Sequence, residues 1–143
     1  PDRLFISEHM TLSEQWWHQV ADLWLDSFTI TSGTATYLSL WANLPILTLE
    51  GLQSQSRTSS SLLRSCGLDQ LVASSTEEYI NKAVDFYNDR SKLNTTANLI
   101  RSNKIHFPIF RPPEFIKYLE QSYIKMITNY KKGIISDIDI RKP

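Results

Sequence analysis

The stretch VADLWLDSFTITSGTATYLSLWANLPILTLEG, residues 20–51, decides the fold. Leu23-Trp24-Leu25 is a short apolar run that reads as a strand ending at Asp26. A turn of small polar residues follows, Thr31-Ser32-Gly33-Thr34-Ala35-Thr36, and opens a helix carrying Tyr37, Leu38, Leu40 and Trp41. Asn43 and Pro45 stop that helix. Ile46-Leu47-Thr48-Leu49 is the next strand, and Gly51 breaks it. Strand, turn, helix and strand in this order form the repeating unit of a parallel sheet joined by right-handed crossovers.

The same alternation extends outward. Upstream, Leu4-Phe5-Ile6 reads as a buried strand. Thr11-Leu12-Ser13-Glu14 reads as a capping box before a helix through Trp16, Trp17 and Val20. Downstream, a Ser/Gln-rich loop leads to a helix over Thr58 to Cys66, with Gly67 placed as its C-terminal cap. Ser75-Thr76-Glu77-Glu78 is a second capping box, before a helix with Tyr79, Ile80, Ala83, Val84 and Tyr87 on one face. A further helix covers Lys92 to Asn103. Pro108, Pro112 and Pro113 mark a loop and the start of a last helix. That helix carries Phe115, Tyr118, Leu119, Tyr123, Met126, Ile127 and Tyr130 at helical spacing, the pattern of core packing. The expected class is α/β: a Rossmann-like parallel sheet flanked by helices, over residues 1–132, with a flexible tail at 133–143.

Bulk composition narrows the function. The chain has 143 residues, 41% hydrophobic and 21% charged, as a single globular domain would. Fifteen basic and fifteen acidic residues cancel, which leaves no electrostatic footprint for nucleic acid. No apolar stretch approaches a membrane span. The single cysteine, Cys66, excludes an internal disulfide and reads as a small buried apolar residue among Leu62, Leu63 and Leu68. The expected location is cytoplasmic, and the missing initiator Met fits an excised fragment or a processed chain.

In open parallel sheets, ligands bind beyond the carboxyl ends of the strands. The turn after Asp26 lies at such an end. It offers free backbone amides and the positive end of a helix dipole, both of which favour a phosphate. Gly33 lets backbone approach a ligand closely, and the hydroxyls of Thr34 and Thr36 add donors. Capping alone also accounts for Ser, Gly and Thr there. The loop Gly51 to Arg57 follows the next strand, and Arg57 suits a phosphate or a local ion pair. His9, His18 and His106 lack metal-ligand spacing, and no zinc or serine-hydrolase motif occurs. Asn94-Thr95-Thr96 fits a glycosylation sequon but falls in an expected helix.

Three ordered blocks add a resemblance. Residues 20–51 are similar to a block of the O-GlcNAc transferase and SPINDLY-type glycosyltransferases, which closes on a Pro-Val-Leu-Thr-Leu strand. SQSRTSSSLLRSCGLDQLVASSTEEYINKAV, residues 54–84, resembles the block that follows, with its Ser-Arg core. FRPPEFIKYLEQSYIKM, residues 110–126, resembles the closing aromatic helix. The match runs from about Asp2 to Lys132. It implies the C-terminal, donor-binding lobe of a GT-B enzyme. Such an enzyme transfers a sugar from a nucleotide sugar, with UDP or GDP, to Ser or Thr of an acceptor protein. The resemblance implies no metal or other cofactor. It implies that the active-site lysine and a histidine base lie upstream, in the rest of the transferase with its N-terminal lobe and possible tetratricopeptide repeats. The isolated chain is expected to be inactive.

Carried over by position, Thr34 matches the first threonine of the family's diphosphate-binding pair, and Ala35 stands where the second is usual. Gly33 stands where other members have His or Gly, and Thr36 closes the turn. Leu38 replaces an acid that holds the ribose hydroxyls. Glu14 stands where a His contacts the base, Trp17 replaces a nearby Arg, and Ile30 lies in the same turn block. Ser56 and Arg57 match the Ser-Arg pair. Gly33-Thr34 and Ser56-Arg57 favour a working donor lobe. Leu38 favours the alternative, a degenerate lobe kept for folding or protein interaction. Another GT-B nucleotide-sugar enzyme, such as an epimerase, fits the closing helix and the Ser-Arg block less well.

Overall fold

The computed structural model describes residues 20–139. The strand expected at Leu4–Ile6, the capping box at Thr11–Glu14, and Trp17 lie outside these residues. The described elements are β1 (Trp24–Leu25), α1 (Gly33–Trp41), β2 (Ile46–Leu49), α2 (Thr58–Ser65), β3 (Val72–Ala73), α3 (Thr76–Asn88), α4 (Arg90–Asn103) and α5 (Pro112–Lys131). Single 3-10 turns occupy Ser54–Ser56, Asp69–Leu71, Lys104–His106 and Pro108–Phe110.

The three strands form a parallel sheet in the order β1-β2-β3. Trp24 pairs with Ile46 and Leu25 with Leu47, while Thr48 pairs with Val72 and Leu49 with Ala73. Ile46, Leu47 and Thr48 are fully buried, as expected of a central parallel strand covered on both faces. Leu40 of α1, Leu63 of α2, Leu68, Leu71 and Ile100 of α4 are likewise buried. β3 is not apparent in the sequence. It is two residues long and emerges straight from a 3-10 turn.

Backbone chemistry sets the helix ends. Beyond α1, Asn43 adopts φ 65°, and the Leu44 amide returns to the Ser39 carbonyl at 2.8 Å. Pro45 then prevents continuation. Gly67 takes φ 69° beyond α2, and the Leu68 amide reaches the Leu63 carbonyl at 2.9 Å. That is the closure expected of a glycine cap. Ser75 caps α3 by accepting from the Glu78 amide at 3.1 Å. The reciprocal bond differs from a capping box: the Glu78 carboxylate takes the amide and hydroxyl of Ser74, at 2.8 and 2.6 Å.

The chain divides into two compact units, residues 1–104 and 105–143. In the second, the rings of Phe107 and Phe110 are tilted together with centroids 6.4 Å apart. The apolar face of α5 departs from the core packing expected of it: Phe115, Tyr118, Tyr123, Met126, Ile127 and Tyr130 are all exposed. Helical spacing identifies a common face but not what covers it.

Candidate functional site

β1 ends at Leu25, and Asp26 turns the chain toward α1. Asp26 is buried, and its Oδ1 accepts from the amides of Ser27 and Ser32, each at 3.0 Å. Its Oδ2 accepts from the Thr48 hydroxyl at 2.7 Å. The Tyr79 hydroxyl donates to the Asp26 carbonyl at 3.0 Å. Burial, with the charge of Asp26 adding to it, pushes the Tyr79 phenol up to about 12, so it stays a donor at neutral pH. Phe28 meets Tyr79 edge-on at 4.9 Å.

The first turn of α1 has no side-chain cap and no acidic residue. The Gly33 amide folds back on the Thr31 carbonyl at 3.0 Å, and the Thr36 amide donates to Ser32. The amides of Thr34 and Ala35 have no acceptor among the described residues. Thr34 is exposed and Ala35 half-buried, in the helix start that follows β1. These are the orphan donors of a helix start, where the backbone dipole concentrates positive potential.

The turn and the second candidate loop are joined. The Thr31 amide and hydroxyl both donate to the Gln55 carbonyl, at 3.0 and 2.9 Å. The Ser59 amide donates to the Thr31 hydroxyl at 3.3 Å, and the Thr36 and Ser59 hydroxyls share a bond of 2.7 Å. A Cβ on Gly33 would sit 2.7 Å from the Thr58 methyl, so glycine permits this approach of α1 to α2. α2 also begins with no side-chain cap and no acid in its first turn.

The residues singled out in the sequence that lie within the described range each have a definite place. Gly33, Thr34 and Ala35 form the open turn. Thr36 does not turn its hydroxyl outward as expected: it is fully buried and bonds Ser32 and Ser59, serving the α1–α2 seam. Leu38 is half-buried one turn further along α1, and Ile30 is 68% exposed. Ser56 is buried and staples its own loop through Gln53. Arg57 is exposed, with Nε 3.8 Å from Glu50 Oε1. Glu50 is already gripped by both terminal nitrogens of Arg64, at 2.7 and 2.8 Å, which leaves Arg57 loosely held. Glu14 lies outside the described residues. Cys66 is half-buried rather than buried, and burial raises its thiol pKa. Asp26 was not singled out, because its partner Thr48 lies 22 residues away and nothing local signals the pairing.

Among the described residues no group of three or more His, Cys, Asp or Glu is arranged to hold a metal ion. Hollows of about 470 and 310 Å³ lie along α3, lined by Glu78 and Lys82 and by Leu23 and Tyr87 respectively. Neither is lined by a residue of the turn. No described helix is long and apolar enough to cross a membrane.

The described residues thus form a short parallel sheet with flanking helices and an uncapped helix start after β1. The structural relationship makes them a lobe of the GT-B glycosyltransferase class. A mutant O-GlcNAc transferase from Thermobaculum terrenum matches 85% of this chain and 23% of its own, with TM-score 0.76 and 29% identity. Residues 3–119 match the profile of glycosyl transferase family 41, and the chain belongs to that family. It is 31% identical over 121 residues to the probable UDP-N-acetylglucosamine–peptide N-acetylglucosaminyltransferase SPINDLY of Eustoma exaltatum subsp. russellianum, covering 85% of this chain. It is also 31% identical over 128 residues to the probable transferase SEC of Arabidopsis thaliana, covering 88% of this chain. The chain spans 13% of the length of each of these two relatives.

Proposed function

We propose that this chain supplies the donor-binding part of a protein O-glycosyltransferase that moves a sugar from a UDP- or GDP-sugar to Ser or Thr of an acceptor protein. The observation that carries the reading is the pair of unclaimed amides at Thr34 and Ala35, with the loosely held Arg57 on the loop bonded to the same turn. Amides at a helix start, joined by a guanidinium, stabilise the charge that grows on a departing diphosphate. Gly33 and the Thr34 hydroxyl complete the phosphate contact. Ile30, Leu38 and Glu14 are assigned to the nucleoside side. Ser56 and Thr36 shape the turn from behind. The catalytic groups and the acceptor surface belong to the remainder of the transferase.

Leu38 favours a second reading. It offers no acceptor to ribose hydroxyls, and a buried hydroxyl left unpaired costs roughly 1–3 kcal/mol. A lobe that has lost the donor and serves folding or protein interaction would tolerate this. Calorimetric titration of the protein at full natural length with UDP, GDP and their sugars separates the two. Saturable binding of one nucleotide, weakened by Thr34→Ala, is expected of the donor lobe. Silence with every nucleotide identifies the degenerate one.

A further inference from the structure

Resting on the donor-lobe reading, we propose that Asp26 is the positioning residue of the diphosphate turn: it selects which amides of α1 face the donor, without touching the donor itself. Asp26 is 3% exposed and forms no ion pair among the described residues. A buried carboxylate held only by neutral donors is costly, and a neutral Ser or Asn caps a helix at lower cost. What the carboxylate adds is two acceptor oxygens that serve two different elements. Oδ1 draws the Ser27 and Ser32 amides inward, and Oδ2 is fixed to Thr48 in the middle of β2.

The main chain of Asp26 is held just as firmly. Its amide donates to the Leu47 carbonyl at 3.0 Å, and its carbonyl accepts from Tyr79 of α3. One residue therefore ties β1, β2 and α3 to the residue that precedes α1. The consequence lies in the order of the amides. Ser32 is claimed by Asp26 and Gly33 by Thr31, so Thr34 and Ala35 are the first left for a ligand. Without the anchor, the Ser32 amide is released and the turn 27–32 loses its fixed height above the sheet.

The test measures UDP and GDP affinity by calorimetry, at full natural length and well below each variant's melting temperature. Acceptor-peptide KM and kcat are read alongside. Asp26→Ala is expected to weaken nucleotide binding at least tenfold and to raise donor KM in parallel, with acceptor KM unchanged. Thr48→Val, which keeps the volume but frees Oδ2, is expected to weaken binding severalfold, and it stands in if Asp26→Ala does not fold. Asp26→Asn keeps an acceptor for Ser32 and a partner for Thr48, so it is expected within about threefold of the native protein. A merely structural role would lower the melting temperature and the active fraction while leaving the affinity of the folded protein unchanged. Native affinity in Asp26→Ala or Thr48→Val, or an Asp26→Asn as weak as Asp26→Ala, overturns the proposal. A native protein that binds neither nucleotide overturns the donor-lobe reading itself.

Discussion

The starts of α1 to α4 fall into two kinds. α3 and α4 are closed. Ser75 and Asp89 accept first-turn amides through their side chains, and α3 adds Glu77 and Glu78 to its first turn. α1 and α2 are open, with no side-chain cap and no first-turn acid. The open pair lies side by side, bonded through Thr31 to Gln55 and through Thr36 to Ser59. The closed starts satisfy their own dipoles. α2 finds one acceptor in the Thr31 hydroxyl, which takes the Ser59 amide, whereas α1 leaves the Thr34 and Ala35 amides without an acceptor among the described residues. The difference teaches where an anion is expected in a chain whose net charge is zero.

The comparison is broken most severely by overpacking the loop that leads into α2. A Cβ on Gly51 would lie 2.2 Å from Ser56 Oγ and 2.5 Å from its Cβ, inside the loop that carries Arg57. Gly51→Val is therefore expected to cost about 1–3 kcal/mol of stability by overpacking, read by urea denaturation. Next comes closing the open start. Ala35→Asp places an acid in the first turn of α1, as in α3. It is expected to lower nucleotide affinity at least tenfold, about 1.4 kcal/mol, without loss of melting temperature. Equal binding by this variant would remove the turn from the site.

Opening the closed start is expected to do the reverse. Ser75→Ala costs about 1 kcal/mol of stability through the lost cap and leaves nucleotide affinity unchanged. The smallest effect is the pH response of α3. Lys82, and then the Ser74 bonds, lower the Glu78 carboxyl from 4.5 to about 2. A folded-state pKa below the unfolded one contributes stability that is present above 4.5 and lost as pH falls toward 2. Glu78→Gln should flatten the melting-temperature profile over that window. The difference should shrink in high salt because Glu78 and Lys82 are both only half-buried.

Much of this was legible in the sequence because it is local. The strand at Ile46–Leu49, the Gly67 cap and the Ser75 cap each depend on residues within one turn of each other. Gly33-Thr34 was legible as a turn, and the family blocks align across it. Three features were not legible, for one physical reason. The Thr36 hydroxyl points inward because Ser59 waits 23 residues later. Asp26 is buried because Thr48 on the next strand supplies a donor. The α5 face is exposed although its spacing is that of a core helix. Each turns on the presence or absence of a tertiary neighbour, which periodicity and capping signals do not encode.

The central claim is that external anions bind at the open start of α1 and not at the closed ones. Amide nitrogen and proton chemical shifts, followed as UDP or GDP is added, test it residue by residue. The Thr34 and Ala35 amides should move and saturate with one nucleotide, while those of Glu78 and Lys92 stay in place. Shifts at Glu78 and Lys92 equal to those at Thr34 and Ala35, or none at Thr34 and Ala35, would contradict it.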